Sequence, residues 1–159
     1  MIDLEQKHRL TEKYFNTVYR LALSQTKDQH TAEDVTQDVF LRFIRTDKDF
    51  ESEEHVKAWL LKVTVNRCKS WFSAFSFKKT VPLTEEIRFD PPEYSDIWSA
   101  VAKLPLKYKT VVHLFYYEDM SIKQISECLS LNEATVKTQL KRGRELLKDL
   151  LKGWDDIEF

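Results

Sequence analysis

An all-α fold, arranged as two small helical domains joined by a linker with a helix-turn-helix in the second, is what this sequence predicts, and three observations predict it. Apolar residues recur at helical spacing along most of the chain, with no sustained alternation of the kind a half-buried strand requires. Only two glycines and four prolines occur in 159 residues, and the abundance of Leu, Lys, Glu and Gln favours helices over a turn-rich sheet. One internal segment, "SFKKTVPLTEEIRFDPPEYS" at residues 76–95, loses the periodicity and contains Pro82, Pro91 and Pro92, none of which can continue a helix.

These features divide the chain into a helical domain over residues 1–75, a linker over 76–95, a second helical domain over 96–153 and an acidic tail over 154–159. In the first domain the helical spacing runs from Leu4 to about Phe75. Thr31 with Asp34, and Ser52 just before "EEHVKAWLL", have the form of helix starts, because a hydroxyl there can accept from the otherwise unpaired N–H groups of the first turn. In "AEDVTQDVFLRFIR" Ala32, Val35, Val39 and Phe43 form a core stripe, while Asp34, Gln37, Leu41 and Ile44 share the far side. Exposed apolar residues among acidic and amide groups suit a protein partner. In the next helix Leu61, Val65, Cys68 and Phe72 form one apolar stripe, and Trp59, Val63, Asn66 and Ser70 a second, with Leu60 at its edge. A helix with two such faces is either central to its domain or offers one face to a partner.

Beyond the linker, "DIWSAVAKL", "PLKYKTVVHLFYYED", "SIKQISECL" and "EATVKTQLKRGRELLKDLLKG" predict four more helices. Ser121 and Gln124 can cap each other reciprocally at the start of the third, and Asn132 can cap the fourth. The break between those two is about three residues, the spacing of a helix-turn-helix, whose second helix enters the major groove of DNA. On this last helix Val136, Leu140, Gly143, Leu147 and Leu150 form one stripe, and Lys137, Thr138, Lys141 and Arg142 lie opposite. The chain as a whole carries a formal net charge of only -1. Lysine and arginine concentrated toward the amino-terminal half of such a helix can displace counterions from phosphates or bond guanine edges.

The first domain holds a second basic region. Between His55 and Thr84 there is no Asp or Glu, while Lys57, Lys62, Arg67, Lys69, Lys78 and Lys79 alternate with Trp59, Trp71, Phe72, Phe75 and Phe77. Cations follow a nucleic-acid backbone and aromatic faces stack on unpaired bases, so the mixture suits single-stranded or melting DNA. Core packing is the competing role for these aromatics, Trp59 included.

Other classes of function find little support. Nothing approaches the ~20 apolar residues of a membrane span, and "MIDLEQKHRL" is too polar for a secretion signal, so a cytoplasmic protein without membrane insertion is expected. Cys68 and Cys128 lack metal-ligand or redox spacing and fit the role of small buried apolar side chains. His8, His30, His55 and His113 are scattered, and there is no glycine-rich phosphate loop. No enzyme activity, metal or cofactor is expected. On the residues alone, a stand-alone helix-turn-helix regulator and a helical protein-binding adaptor remain open.

Three successive segments carry a family resemblance. The chain resembles an extracytoplasmic-function (ECF) sigma factor of the sigma-70 family. "AEDVTQDVFLRF" is similar to the segment by which the first sigma domain grips core RNA polymerase, "AWLLKVTVNRC" to the minus-10 recognition and melting helix, and "LPLKYKTVVHLFYYEDMSIKQISECLSLNEATVKTQLKRGRELL" to the domain that reads the minus-35 element. The resemblance implies polymerase contacts from Asp34, Gln37, Phe40 and Leu41. It implies minus-10 contacts from Trp59 and Asn66, with Lys62 and Arg67 beside them, and minus-35 contacts from Lys137, Thr138, Lys141 and Arg142. Implied partners are core RNA polymerase (its clamp helices and flap), promoter DNA and an anti-sigma factor. The chain departs from the family pattern at Ser130, where glycine is usual in the turn, and at Ser70, Ser73 and Gln139. The tail, with Asp155, Asp156 and Glu158 between Trp154 and Phe159, is read either as a solubilising end or as a restraint on the basic helix.

Overall fold

A computed structural model describes residues 2–78 and 95–151. Among them every regular element is a helix, and the chain divides into two compact units, Met1–Ile87 and Arg88–Phe159. Most of the predicted linker and the whole of the tail at 154–159 lie outside the described residues, as do the side chains of Phe75, Phe77, Lys78 and Lys79.

The first unit contains α1 (Leu4–Thr26), α2 (Gln29–Arg45) and α3 (Glu53–Lys78). Asp3 opens α1 with a reciprocal cap: its carboxylate accepts from the Gln6 N–H at 2.8 Å, and its own N–H donates to Gln6 Oε1 at 3.0 Å. Lys27, at φ 56°, ends the helix in the left-handed region. The chain then restarts at once, because the Asp28 carboxylate accepts from the Thr31 N–H at 3.1 Å and from the Thr31 hydroxyl. This corrects the predicted start. Thr31 donates to the cap instead of being it, and the nearby aspartate, a stronger acceptor than a hydroxyl, sets the boundary. Ser52 does cap α3, accepting from the His55 N–H at 3.1 Å.

Three apolar faces close the first core. Leu10, Val18 and Leu21 of α1 meet Ala32, Val35, Val39 and Phe43 of α2 and Val56, Leu60, Leu61, Val65 and Cys68 of α3, all buried. Each large side chain so buried contributes about 1.5–3 kcal/mol. Leu60 is 1% exposed, so it belongs to the core and not to the edge of a second face. Between α2 and α3, Phe50 is buried as well, with its ring edge-on to Phe43 at 5.8 Å. The carboxyl end of α2 has carbonyls with no partner in the helix. Lys7 of α1 supplies one, its ammonium donating to the carbonyls of Ile44 at 3.2 Å and Thr46 at 2.8 Å.

In the second unit α4 (Ser95–Ala102) and α5 (Leu106–Val112) are followed directly by a π-helical turn at His113–Tyr117, then by α6 (Ile122–Leu129) and α7 (Glu133–Leu150). The single helix predicted over "PLKYKTVVHLFYYED" therefore changes winding midway. A π turn accommodates an extra residue and re-aims the side chains that follow. Inside it His113 Nε2 lies 3.0 Å from Glu118 Oε2, both side chains buried, and Asp119 closes the segment at φ 55°.

The predicted caps of the next two helices are present. Ser121 and Gln124 form the reciprocal box, and Asn132 accepts from the Thr135 N–H at 2.7 Å. Between α6 and α7 lie Ser130, Leu131 and Asn132, with Ser130 left-handed at φ 56°, ψ 43°. The Leu131 N–H bonds back to the Ser126 carbonyl at 3.0 Å and closes the turn. Val136, Leu140, Gly143 and Leu147 of α7 are buried as predicted, but Leu150 is 47% exposed and Leu151 takes the last core position. Both residues can follow Leu147 at helical spacing, and the final turn favours the later one.

Candidate nucleic-acid and partner interfaces

The outer side of α7 carries the basic site. Lys137, Thr138, Lys141 and Arg142 are all exposed, opposite the stripe that anchors the helix, so the structure brings the four predicted residues together on one surface. Arg142 Nη1 lies 3.2 Å from Glu145 Oε2, one turn on, with both side chains about half exposed. Such a surface pair is worth about 0–1 kcal/mol and yields readily to a better anionic partner. The Thr138 hydroxyl donates to the Ala134 carbonyl at 3.0 Å, and the residue stays exposed. Helix, turn and helix thus present lysine and arginine donors in the form that a major groove accepts.

Arg144 belongs to the same basic run but points elsewhere. It is half-buried, its Nε donates to the Tyr116 hydroxyl at 2.6 Å, and its guanidinium lies 5.6 Å and 5.7 Å from the ring centroids of Phe115 and Tyr116. Composition alone does not separate Arg144 from the other cations. Its position four residues after the core residue Leu140 is the signal that does.

In the first unit the expected polymerase-binding residues divide. Asp34, Gln37 and Leu41 are exposed, Leu41 at 51%. Phe40 is only 6% exposed: its ring stacks on Phe15 of α1 at 6.0 Å, with the planes 13° apart. Phe40 is therefore a core residue that supports this face from beneath, a correction to its expected role as a contact. Phe15, 44% exposed, is the aromatic the surface offers. It lies on a different helix, which sequence spacing cannot bring alongside α2.

The expected minus-10 residues divide as well. Lys62 and Asn66 are exposed on α3. Trp59 is half-buried in an aromatic cluster, 6.0 Å from Phe43 and 5.6 Å from Phe50, so packing takes a large part of its ring. Arg67 donates through Nε to Asp38 Oδ2 at 2.9 Å, and the same oxygen lies 3.0 Å from Arg42 Nε. In the free chain Arg67 thus ties α3 to α2, a contact that sequence spacing does not show. A perturbed cluster among the described residues lies elsewhere, where Tyr14, Arg9 and Lys13 of α1 meet Glu53 at the start of α3. The Glu53 carboxylate accepts from Lys13 and, at 2.8 Å, from the Tyr14 hydroxyl. Burial, then the bond to Glu53, pushes the Tyr14 phenol up to about 12. The hydrogen bonds from Lys13 and Tyr14 hold Glu53 below the usual carboxylate range. This cluster pins one helix to another, and none of the expected interface residues belongs to it.

Family models match both units. Sigma-70 region 2 aligns with residues 10–74 and Sigma-70, region 4 with residues 94–147. Among curated proteins, the chain is 32% identical over 136 residues to the RNA polymerase sigma factor SigV of Bacillus subtilis, covering 82% of this chain and 81% of that protein. It is 29% identical over 151 residues to the ECF RNA polymerase sigma factor SigM of the same organism, covering 87% and 91%. Among solved structures, the sigma factor RpoE in complex with the anti-sigma factor NepR from Bartonella quintana superposes with a TM-score of 0.77 at 21% identity, over 87% of this chain and 92% of that one. CnrH in complex with the cytosolic domain of CnrY gives a TM-score of 0.65 at 20% identity, over 94% and 89%.

Proposed function

Because the chain belongs to the sigma-70 family and, with its ECF relatives, is a non-enzymatic transcription initiation factor, we propose that its two units divide the work of promoter selection. The first unit binds core RNA polymerase through the exposed Asp34, Gln37 and Leu41, with Phe15 and Phe40 as the apolar support, and meets the minus-10 region along α3 through Lys62 and Asn66. Partly exposed, Trp59 adds a ring edge there, and Arg67 can contribute only by leaving Asp38. The second unit reads the minus-35 element through Lys137, Thr138, Lys141 and Arg142 and, by family analogy, meets the polymerase flap. Working with the polymerase on the chromosome, the protein acts in the cytoplasm.

The observation that carries this reading is the convergence of Lys137, Thr138, Lys141 and Arg142 on the exposed side of the second helix of a helix-turn-helix, opposite a fully packed stripe. A helix that merely solvated a surface would not require the capped three-residue turn that presents it. A solved sigma factor of similar fold was captured with an anti-sigma factor, and an anti-sigma partner is proposed for this chain by that analogy. Titration of the chain against bacterial core RNA polymerase tests the reading. Saturable one-to-one binding at submicromolar concentration is expected; no association would overturn it.

A further inference from the structure

Four cations lie on α7 between residues 137 and 144; three are exposed and the fourth, Arg144, is half-buried. Two aromatic rings and a directed hydrogen bond hold it. Nε lies 2.6 Å from the Tyr116 oxygen, the guanidinium lies within 5.7 Å of both the Phe115 and Tyr116 centroids, and those two rings pack edge to face at 4.8 Å. Lysine could keep the charge there, but not the planar stack or the Nε donor. Both aromatics come from the π turn, which re-aims side chains relative to a continuous α-helix.

The neighbouring contact fixes a different coordinate. A Cβ on Gly143 would sit 2.7 Å from Val112 Cγ2 and 3.6 Å from Tyr108 Cβ, so the missing side chain sets how closely α7 approaches α5. Close approach sets a distance, and the buried stripe of Val136, Leu140 and Leu147 sets the rotation of α7 about its own axis only coarsely. The bond from Arg144 to Tyr116 adds a directed restraint on that rotation. A roll of ~20° moves a side-chain atom ~6 Å from the helix axis by about 2 Å, enough to separate a made hydrogen bond from a lost one.

We propose, resting on the reading of α7 as the helix that contacts the minus-35 element, that Arg144 is a positioning residue. Clamped by Phe115 and Tyr116, it fixes the rotation of α7 and thereby decides which bases Lys137, Lys141 and Arg142 reach. Arg144 acts through those residues and touches no base itself.

The test uses the full chain bound to core RNA polymerase and a pool of DNA duplexes randomised over the promoter region. Base preference among the retained duplexes, the salt dependence of binding and the melting temperature of the free chain are each measured. Wild type is expected to show an upstream preference, and Arg142→Ala to weaken it at one or two positions. Arg144→Lys is expected to flatten it at several positions at once, by roughly tenfold in the ratio of best to average sequence, with the salt slope unchanged. Tyr116→Phe, which removes only the acceptor, is expected to act in the same direction and less strongly. Preserved preference in Arg144→Lys, with Arg144→Ala lowering the salt slope by about one, would identify a phosphate contact and overturn the proposal. Preserved preference with only a lower melting temperature would overturn it as well, leaving Arg144 a packing residue. Absence of any upstream preference in wild type would remove the reading of α7 together with the proposal, whereas failure confined to the Arg144 and Tyr116 variants would leave that reading standing.

Discussion

Arg67 of α3 and Asp38 of α2 are joined by a 2.9 Å ion pair, and Asp38 holds Arg42 at 3.0 Å through the same oxygen. A residue that sequence pattern assigns to DNA is therefore also a tie between helices, and the two roles separate experimentally. Because both side chains are more than a third exposed, the pair is worth at most ~1 kcal/mol. A double-mutant cycle of Arg67→Ala and Asp38→Ala in urea unfolding is expected to give a coupling below that figure. A markedly larger loss of promoter affinity than of stability in Arg67→Ala would mean that the guanidinium leaves Asp38 for DNA in the complex.

Leu41 and Phe40 are adjacent in sequence and opposite in exposure. Gln37→Ala with Leu41→Glu is expected to leave the melting temperature nearly unchanged and to weaken core-polymerase binding by at least ~2 kcal/mol. Phe40→Ala removes a buried, stacked ring and is expected to cost about 3–5 kcal/mol of folding stability. Unchanged polymerase affinity in the Gln37 and Leu41 double variant, measured by titration, would exclude this face.

Gly143→Ala sets two effects against each other. Alanine is favoured over glycine in a helix by about 1 kcal/mol, but its Cβ would meet Val112 Cγ2 at 2.7 Å, and overpacking of this kind costs about 1–3 kcal/mol. Valine is stiff at χ1 and cannot swing aside freely, so net destabilisation is expected by thermal unfolding. Val112→Ala in the same chain should recover much of it. A Gly143→Ala protein as stable as wild type would show that α5 and α7 can move apart without loss.

The Tyr14–Glu53 contact predicts a pH dependence at both ends of the scale. Glu53 is held below its ordinary value of 4.5, so its contribution is complete above that pH and is lost as pH falls through the lower folded value. Tyr14 is raised from 10.0 to about 12. Its contribution is therefore complete below pH 10 and is lost as pH rises toward 12. Tyr14→Phe is expected to reduce the alkaline loss, and Glu53→Gln to reduce the acid loss. Stability profiles parallel to wild type in both variants would contradict the contact.

Much of this was legible from spacing. The α2 stripe of Ala32, Val35, Val39 and Phe43 and the α7 stripe as far as Leu147 follow from the helical period, and Ser121, Gln124 and Asn132 announced their caps by residue type. What spacing could not supply was contact between helices. The stacking of Phe15 on Phe40, the capture of Arg67 by Asp38 and the turning of Arg144 into Phe115 and Tyr116 all join residues at least 25 positions apart. The π turn at His113–Tyr117 was hidden for another reason: an added residue in a helix leaves its apolar content unchanged and alters only the phase. Ser130 lay between the two cases: its place in the turn, where glycine is usual, pointed to a left-handed residue, and its φ is 56°.

Transcription from reconstituted enzyme tests the central claim most directly. Core RNA polymerase is incubated with a library of bacterial genomic fragments, with and without this chain, and the 5′ ends of the transcripts are mapped. With the chain present, new start sites are expected upstream of which two short sequence elements recur, separated by a fixed spacing, and Arg142→Ala should alter the upstream element alone. A chain that binds core polymerase yet yields no new start sites, or start sites with no shared upstream sequence, would contradict the assignment of promoter selection to these two helical units.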